Sequence, residues 1–457
     1  MKILLIRPPQ IRWKYEAKRI GAPIGLLSLA SVLRDRNIEV GLVDSAVEGF
    51  NQEREIKEGL FEYGLSDSEV EEKVSSFNPD FVGIASTHTS YWEQQKRLAK
   101  LIKRINSHTL VLIGGHHASG IAGYIARNVP EIDHIFVGES ETSLLRFIAS
   151  RGGRVISGQR EDLASLPNPA FDLLDSAHYT YKMSHYGIPR SKNFITNVIS
   201  RGCPSACDYC TSSQIFGKKV RLYPLERVAE QINLIQARGF EEYVSQDDNV
   251  VTWPRAYRSR FFGLLRESNM PWVLDGGLYY SMASPELIEK LAENGCYRVF
   301  LPVENPNLDL MHAHNKYRNL RTSQAQNKKL EEVIENLNRA CIEFYLAIMI
   351  GFPGETWESI KDAVEFGRKL KSMGAIGLGF HWVHPYPFSP FYDSSYRLVE
   401  ASRRWETAPE YSTFIKPVFP INGVSLEEAE QYVNEQFENI NRTRTLNNSY
   451  HYRQSFV

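Results

Sequence analysis

Apolar and polar positions fall into short blocks whose period changes repeatedly along the chain. Residues 2–7 read as a strand stopped by Pro8-Pro9, and residues 25–34 as an amphipathic helix introduced by Pro23. Further strands are expected at 39–44, 81–85, 110–113 and 134–137. Between the first and second of these, 51–76 is charged and helical in character, an elaboration on the outside. Strands alternating with helices predict a parallel sheet with helices on both faces, a doubly wound α/β unit over residues 1–150. Ligands of such sheets lie outside the carboxyl ends of the strands. Those ends carry Pro8-Pro9-Gln10, the polar loop 86–90, Gly114-Gly115-His116-His117 and Gly138-Glu139.

The alternation lapses over 151–193, where prolines and mixed polarity predict an ordered linker wrapping between domains. It resumes with strand-like runs at 194–200, 242–246, 272–275, 297–303, 344–350 and 376–382. Helical patterns at 225–238, 254–266, 285–293, 328–339 and 356–371 separate them. These βα units predict a second domain over 194–395, with its functional residues at strand carboxyl ends. Residues 396–457 turn helical and charged; 425–443 is the clearest amphipathic stretch, and 442–457 reads as a mobile or capping tail.

Bulk properties narrow the partners. A chain of 457 residues is too long for one ordinary core. With 42% hydrophobic and 23% charged residues it is an ordinary globular protein. A formal net charge of −1 argues against a nucleic-acid or acidic-membrane surface. The opening Met1-Lys2-Ile3-Leu4-Leu5-Ile6-Arg7-Pro8 is broken by proline too soon for a signal peptide, and no apolar run is long enough to span a bilayer. An odd count of 5 cysteines without a secretory signal points away from an oxidising compartment, so the expected location is cytoplasmic.

Three of those cysteines fall within Cys203-Pro204-Ser205-Ala206-Cys207-Asp208-Tyr209-Cys210. Thiolates hold iron–sulfur clusters, and a cubane has four irons, so three local cysteines leave one iron open to a substrate or cofactor. A structural zinc would want a fourth ligand, commonly from a second paired motif. Cys296 and Cys341 lie far downstream at the starts of apolar runs, where they read as buried core thiols. The cluster is the preferred reading. The spacing, with an aromatic residue just before the last cysteine, resembles the radical S-adenosylmethionine (SAM) enzymes.

That resemblance implies a partial (β/α)6 barrel and a [4Fe–4S] cluster on Cys203, Cys207 and Cys210. It also implies SAM chelated at the open iron and split to a 5′-deoxyadenosyl radical, with an electron donor such as flavodoxin or ferredoxin. It places SAM beside Tyr209, beside Gln246-Asp247-Asp248 after the second barrel strand, and beside Glu304 after the fourth. Gly351 and Pro353 after the fifth match the family's turn beneath the adenine, and Thr356 can cap the next helix. Two adjacent carboxylates could hold an ammonium or ribose, or could simply cap a turn ahead of Pro254. His381 and His384 end the sixth strand. They cannot both face the same way on a regular strand, and one is a candidate proton donor or substrate ligand at the barrel mouth.

Residues 1–150 resemble the cobalamin-binding domain found in one branch of that family. The likeness rests on Pro23-x-Gly25-Leu26, Asp44, Gly114-Gly115 and Gly138-Glu139-x-Glu141-Thr142. The D-x-H-x-x-G signature of other cobalamin proteins is absent, as is usual in this branch. The resemblance implies a corrin cradled by Ser86, Thr87, His88, Gly114, Gly115, His116 and Glu139. Together the likenesses imply methyl transfer to an unactivated carbon or phosphorus of a small molecule or natural-product intermediate. One alternative keeps the radical step for a dehydratase, cyclase or rearrangement enzyme whose cobalamin domain is vestigial or differently used. A second, a non-catalytic iron–sulfur protein, leaves the strand-end residues without a purpose.

Overall fold

A computed structural model describes residues 1–14, 18, 20–180, 189–395 and 416–442. The charged stretch 396–415, the tail 443–457 and part of the tyrosine- and histidine-rich linker lie outside the described residues.

The first sheet is parallel throughout. Its strands are β1 (Lys2–Arg7), β3 (Glu39–Asp44), β6 (Phe81–Ala85), β7 (Leu110–Gly114), β8 (His134–Val137) and β9 (Val155–Ser157), in the order β3-β1-β6-β7-β8-β9. Alternate residues feed two cores. Leu4, Ile6, Val82, Ile84, Val111 and Ile113 pack on one face, and Ile3, Leu5, Phe81, Leu112 and Phe136 on the other. Both faces are covered because a parallel sheet hides both. β9 comes from the stretch read as linker, so the sheet runs past residue 150.

Residues 51–76 differ from expectation. Only Asp67–Phe77 is helical; β4 (Glu53–Lys57) and β5 (Leu60–Tyr63) form a hairpin that continues onto β2 (Gln10–Trp13) as a small antiparallel sheet. β4 is exposed along its whole length, so its charges mimic a polar helix, while β5 buries Leu60 and Tyr63. Period alone cannot separate the two in so short a run.

The second sheet is also parallel: β10 (Phe194–Asn197), β13 (Glu242–Ser245), β14 (Trp272–Leu274), β15 (Cys296–Glu304), β16 (Glu343–Ile350) and β17 (Gly377–Trp382), in chain order. Between β10 and β13, a two-stranded clip of β11 (Ser200–Arg201) and β12 (Arg221–Leu222) pinches off the cysteine loop. The six strands form an open barrel wall. At one edge the Ala22 amide donates to Thr196 Oγ1 at 2.6 Å. At the other, Asn441 of the helix Leu426–Arg442 accepts from the Leu378 amide at 3.1 Å and donates to its carbonyl at 3.0 Å. The exposed edge is thereby satisfied.

The linker is held against the first domain: the Ala170 amide donates to Leu27 O at 3.1 Å, and Tyr179 Oη to Asp44 Oδ2 at 2.8 Å. Cys296 is buried, as expected, but Cys341 is exposed. It stands at φ 54° in the turn from the helix Ser323–Arg339 into β16, before the buried run begins.

Candidate active site between the two sheets

The carboxyl ends of the two sheets face one cavity of about 840 Å³. From the first sheet it is lined by Thr87, His88, Gly114, Gly115, His116 and Glu139; from the barrel by Arg201, Ser212, Phe216, Gln246 and Asp248. Thus most of the residues expected around the corrin share a space with two of those expected around SAM.

The first-sheet wall is built from backbone and small residues. Gly115 has φ 120°, and a Cβ there would lie 2.6 Å from Ser86 O. Gly138 has φ 80° with open space where its Cβ would project. Gly115 thus lets two loops of the wall close on each other, while Gly138 leaves open backbone toward the cavity, a lining that fits a flat corrin. Ser86 is buried within the wall instead, donating from Oγ to Gln95 Oε1 at 2.6 Å and from its amide to Gly114 O at 2.7 Å. Burial pushes His116 down to about 4 and His117 to about 3, with repulsion from His88 adding to each, so both are neutral at neutral pH.

Glu139 reaches the cavity wall, but its carboxylate is turned onto the barrel. Arg201 Nη1 donates to it at 2.8 Å and Arg221 Nη1 at 3.0 Å, with Arg221 Nη2 on its other oxygen. Arg201 also holds Glu141 at 2.5 Å, and Ser28 Oγ donates to Glu141 at 2.8 Å. The Glu139 side chain is 1% exposed, so this is a largely buried ion-pair network joining the domains, in which Arg221 Nε is left without a partner. The sequence shows each of these charges without showing that they meet. Arg201 precedes Cys203 by one glycine, so the latch grips the stem of the cysteine loop.

That loop is fixed elsewhere too. Gly202, at φ 99°, has Lys219 O where a Cβ would stand, and the Cys203 amide donates to Gly217 O at 3.0 Å. Asp208 accepts from His314 Nδ1 at 3.0 Å, and its carbonyl accepts from the Phe391 amide at 2.9 Å. Tyr209 packs its ring against Phe352, 5.9 Å between centroids, and against His314. Through Phe352 the turn Gly351-Phe352-Pro353-Gly354 therefore touches the cysteine loop. Gly351 is required there: at φ 77° its Cβ would lie 2.6 Å from the Trp382 ring. Thr356 caps the following helix, accepting from the Ser359 amide at 3.2 Å.

Burial pushes the Cys210 thiol up to about 12, with Asp248 contributing, and raises Cys207 as well. Bound iron would reverse this, since ligation deprotonates thiols outright. Among the described residues no three His, Cys, Asp or Glu converge on a single-ion site. Three soft thiolate donors on one short loop are the donor set that an iron–sulfur cluster takes.

The adjacent carboxylates divide their work. Asp247 is buried and accepts from Ser200 Oγ at 2.6 Å, the Ile199 amide at 2.9 Å and Ser245 Oγ at 2.9 Å. Burial pushes it up to about 6 in spite of these bonds. Its oxygens tie β11 to β13 and are not presented to a cofactor. Asp248 points the other way, lining the cavity and accepting from Ser212 Oγ at 3.1 Å; its protein surroundings raise its pKa. Gln246 lines the cavity and donates to Asp275 at 3.2 Å.

Glu304 ends β15 at φ 64°, where it accepts from Lys316 Nζ at 2.8 Å. Lys316 is buried beneath Tyr279 and Tyr317 and lies within electrostatic reach of Cys207. No periodicity marks this lysine. His381 and His384 separate because β17 ends at Trp382, which leaves His381 in the strand and His384 beyond it. His381 is half-buried on the strand face away from the covering helix, folded back over Gly379, whose Cβ would lie 2.9 Å from its Nε2. His384 is a core residue: its Nε2 meets Lys416 O at 2.9 Å, and burial pushes it down to about 4.

Comparison with known proteins agrees with this two-part site. The B12 binding domain model matches residues 15–148 and the Radical SAM superfamily model residues 197–367. The chain carries a B12-binding domain followed by a radical SAM domain. Cobalamin is thereby assigned to the first sheet, and SAM with a [4Fe–4S] cluster to the barrel. The chain is 25% identical over 350 residues to the cytidylyl-2-hydroxyethylphosphonate methyltransferase of Streptomyces wedmorensis, covering 66% of this chain and 65% of that one. It is 22% identical to the anaerobic magnesium-protoporphyrin IX monomethyl ester cyclase of Rubrivivax gelatinosus, covering 74% and 62%. The chain thus spans slightly less than two thirds of each of these relatives. Among solved structures, the radical SAM methyltransferase TsrM of Kitasatospora setae, with cobalamin and a [4Fe–4S] cluster bound, superposes with a TM-score of 0.65 at 15% identity. That match covers 96% of this chain and 88% of that one.

Proposed function

We propose that this protein is a cobalamin-dependent radical SAM methyltransferase acting on an unactivated carbon or phosphorus of a small-molecule or natural-product intermediate. One observation carries the reading: the strand ends of both sheets open into a single cavity, so groups held on either wall reach the same substrate. When bound, the cluster supplies the electron that cleaves SAM, and the corrin carries the methyl group. The protein's share is placement. Cys203, Cys207 and Cys210 hold the cluster on a loop latched to the first sheet; Asp248, with Gln246 beside it, meets the polar end of SAM, and the Gly351–Pro353 turn receives its flat end. Gly114, Gly115 and Gly138 bring backbone against the corrin. His381 is the candidate proton carrier on the inner barrel face, while His384, Asp247, Ser86 and Glu139 support the walls. Reacting groups must approach within about 3–3.5 Å, and a fixed latch between the walls serves that requirement.

Among the described residues no helix is long and apolar enough to cross a membrane. A reduced flavodoxin or ferredoxin in the cytoplasm is the proposed electron donor. The cyclase among the relatives keeps a second reading open, a radical rearrangement or cyclisation. Anaerobic turnover with a panel of acceptors, with and without supplied cobalamin, separates them. Methylated product that depends on cobalamin supports the proposal. Full conversion of a substrate to an unmethylated product without cobalamin would sink it.

A further inference from the structure

The loop that follows β13 carries Gln246, Asp247 and Asp248 and ends in Asn249. The backbone of Asn249 is set by the single helical turn Val250–Thr252: its carbonyl accepts from the Thr252 amide at 3.1 Å and from Thr252 Oγ1 at 2.8 Å. Val250 and Val251 anchor that turn in the barrel core. An asparagine ahead of such a turn ordinarily caps it, its side-chain oxygen accepting from an amide two or three residues on. Asn249 makes no such bond. The residue is 4% exposed, and its Oδ1 is buried without a hydrogen-bond partner. Burying an amide oxygen unsatisfied is unfavourable, and an apolar side chain would fill the same space without it. Neither capping nor packing accounts for an asparagine here.

Its Nδ2 points instead at Cys203 Sγ, 4.0 Å away. The two residues are 46 positions apart in the chain. They meet because β10 and β13 are adjacent parallel strands whose carboxyl ends open side by side. A neutral thiol is a weak acceptor, and the contact to it is long. Ligation to iron deprotonates the thiol, and a thiolate accepts a stronger, charge-assisted bond. Adding an electron to a cluster adds negative charge to its sulfurs, so a donor aimed at a ligand sulfur favours the reduced form.

We infer that Asn249 is a positioning residue for the cluster, donating from Nδ2 to the Cys203 sulfur and raising the potential at which the cluster takes up its electron. This rests on the reading that Cys203, Cys207 and Cys210 hold a [4Fe–4S] cluster, and not on the fate of the methyl group.

The test uses the full chain with its cluster reconstituted anaerobically and no SAM added. The cluster is poised over a range of potentials, and its reduced form is followed by electron paramagnetic resonance. Asn249→Leu keeps the bulk, excludes water and removes the donor; Asn249→Asp keeps the shape and leaves only acceptors. Both should retain iron and sulfide and show a midpoint more negative than the wild type. A residue that only packs would lower stability or cluster content and leave the midpoint where it was. A second measurement needs no variant: asparagine carrying the spin-half nitrogen isotope in its side-chain amide should give a nitrogen coupling to the reduced cluster in pulsed resonance. An unchanged or raised midpoint in the variants, or no such coupling in the labelled wild type, would overturn the assignment and leave the cluster reading intact. Wild-type protein that binds no cluster at all would overturn both.

Discussion

On the barrel side, the groups expected to meet a cofactor are side chains with chemistry of their own: the Asp248 carboxylate on the cavity wall and, outside the cavity lining, three thiols on one loop. On the first-sheet wall they are largely backbone, exposed by Gly114, Gly115 and Gly138, with His88 and His116 at the rim. The barrel wall can be altered by removing an atom, the first-sheet wall by adding one. Between them the Glu139–Glu141–Arg201–Arg221 network belongs to neither cofactor, yet it decides how the two walls face each other.

The largest effect should come from the barrel wall. Replacing Cys203, Cys207 and Cys210 together by alanine should abolish bound iron and sulfide and all SAM cleavage while the fold persists; iron content after anaerobic reconstitution measures it. Cys296→Ala should retain wild-type iron, because that thiol is buried in the sheet and faces no cofactor. Wild-type iron in the triple variant would refute the ligand assignment.

Gly115→Val is the corresponding insult to the other wall. Its Cβ would press on Ser86 O at 2.6 Å in a backbone conformation that valine avoids, so the loop must move. Cobalamin uptake should be lost in a spectrophotometric titration, with deoxyadenosine formation from SAM retained. Loss of both activities would mean that the walls are less separable than the geometry implies.

Glu139→Ala removes the shared partner of two partly buried arginines. A cost of about 3–5 kcal/mol is expected for stranding buried charge, read as a lowered denaturant midpoint. Product formation should fall more than SAM cleavage, since the latch orients one wall against the other. An unchanged ratio of the two would deny it that role.

The smallest effect concerns pH. An unfolded imidazole takes up a proton near its ordinary 6.5, but buried His384 resists until about 4. The unfolded state therefore binds more protons in that window, and stability falls as pH drops from about 6.5 toward 4. His384→Asn should flatten part of that slope in melting temperature against pH; His116 and His117, also depressed by burial, account for much of the remainder. An unaltered slope would show that His384 does not hold a neutral, buried state.

Local pattern was sufficient for much of this molecule. The short apolar runs that became the two parallel sheets need only their own residues to declare themselves, because burial on both faces demands continuous apolar strands. The three-cysteine spacing is equally local, as are Gly351 and Thr356, whose constraints come from a turn and a helix start. Residues 53–63 were misread because an exposed charged strand and an exposed charged helix bury too little to leave a period. Cys341 was misread because a turn residue beside a buried run borrows its composition.

What the sequence could not give was direction and pairing. Asp247 and Asp248 are neighbours of one type, and only the packed strands turn one into a tie across β11 and β13 and the other into the cavity. His381 and His384 part as well, because β17 ends at Trp382 and the chain beyond it turns His384 onto the Lys416 carbonyl. The Glu139–Arg201–Arg221 latch and the Glu304–Lys316 pair join residues 62, 82 and 12 positions apart, respectively. Long-range ion pairs of this kind leave no trace in local periodicity. Their strength comes from the low dielectric that exists only once both sheets have closed over them.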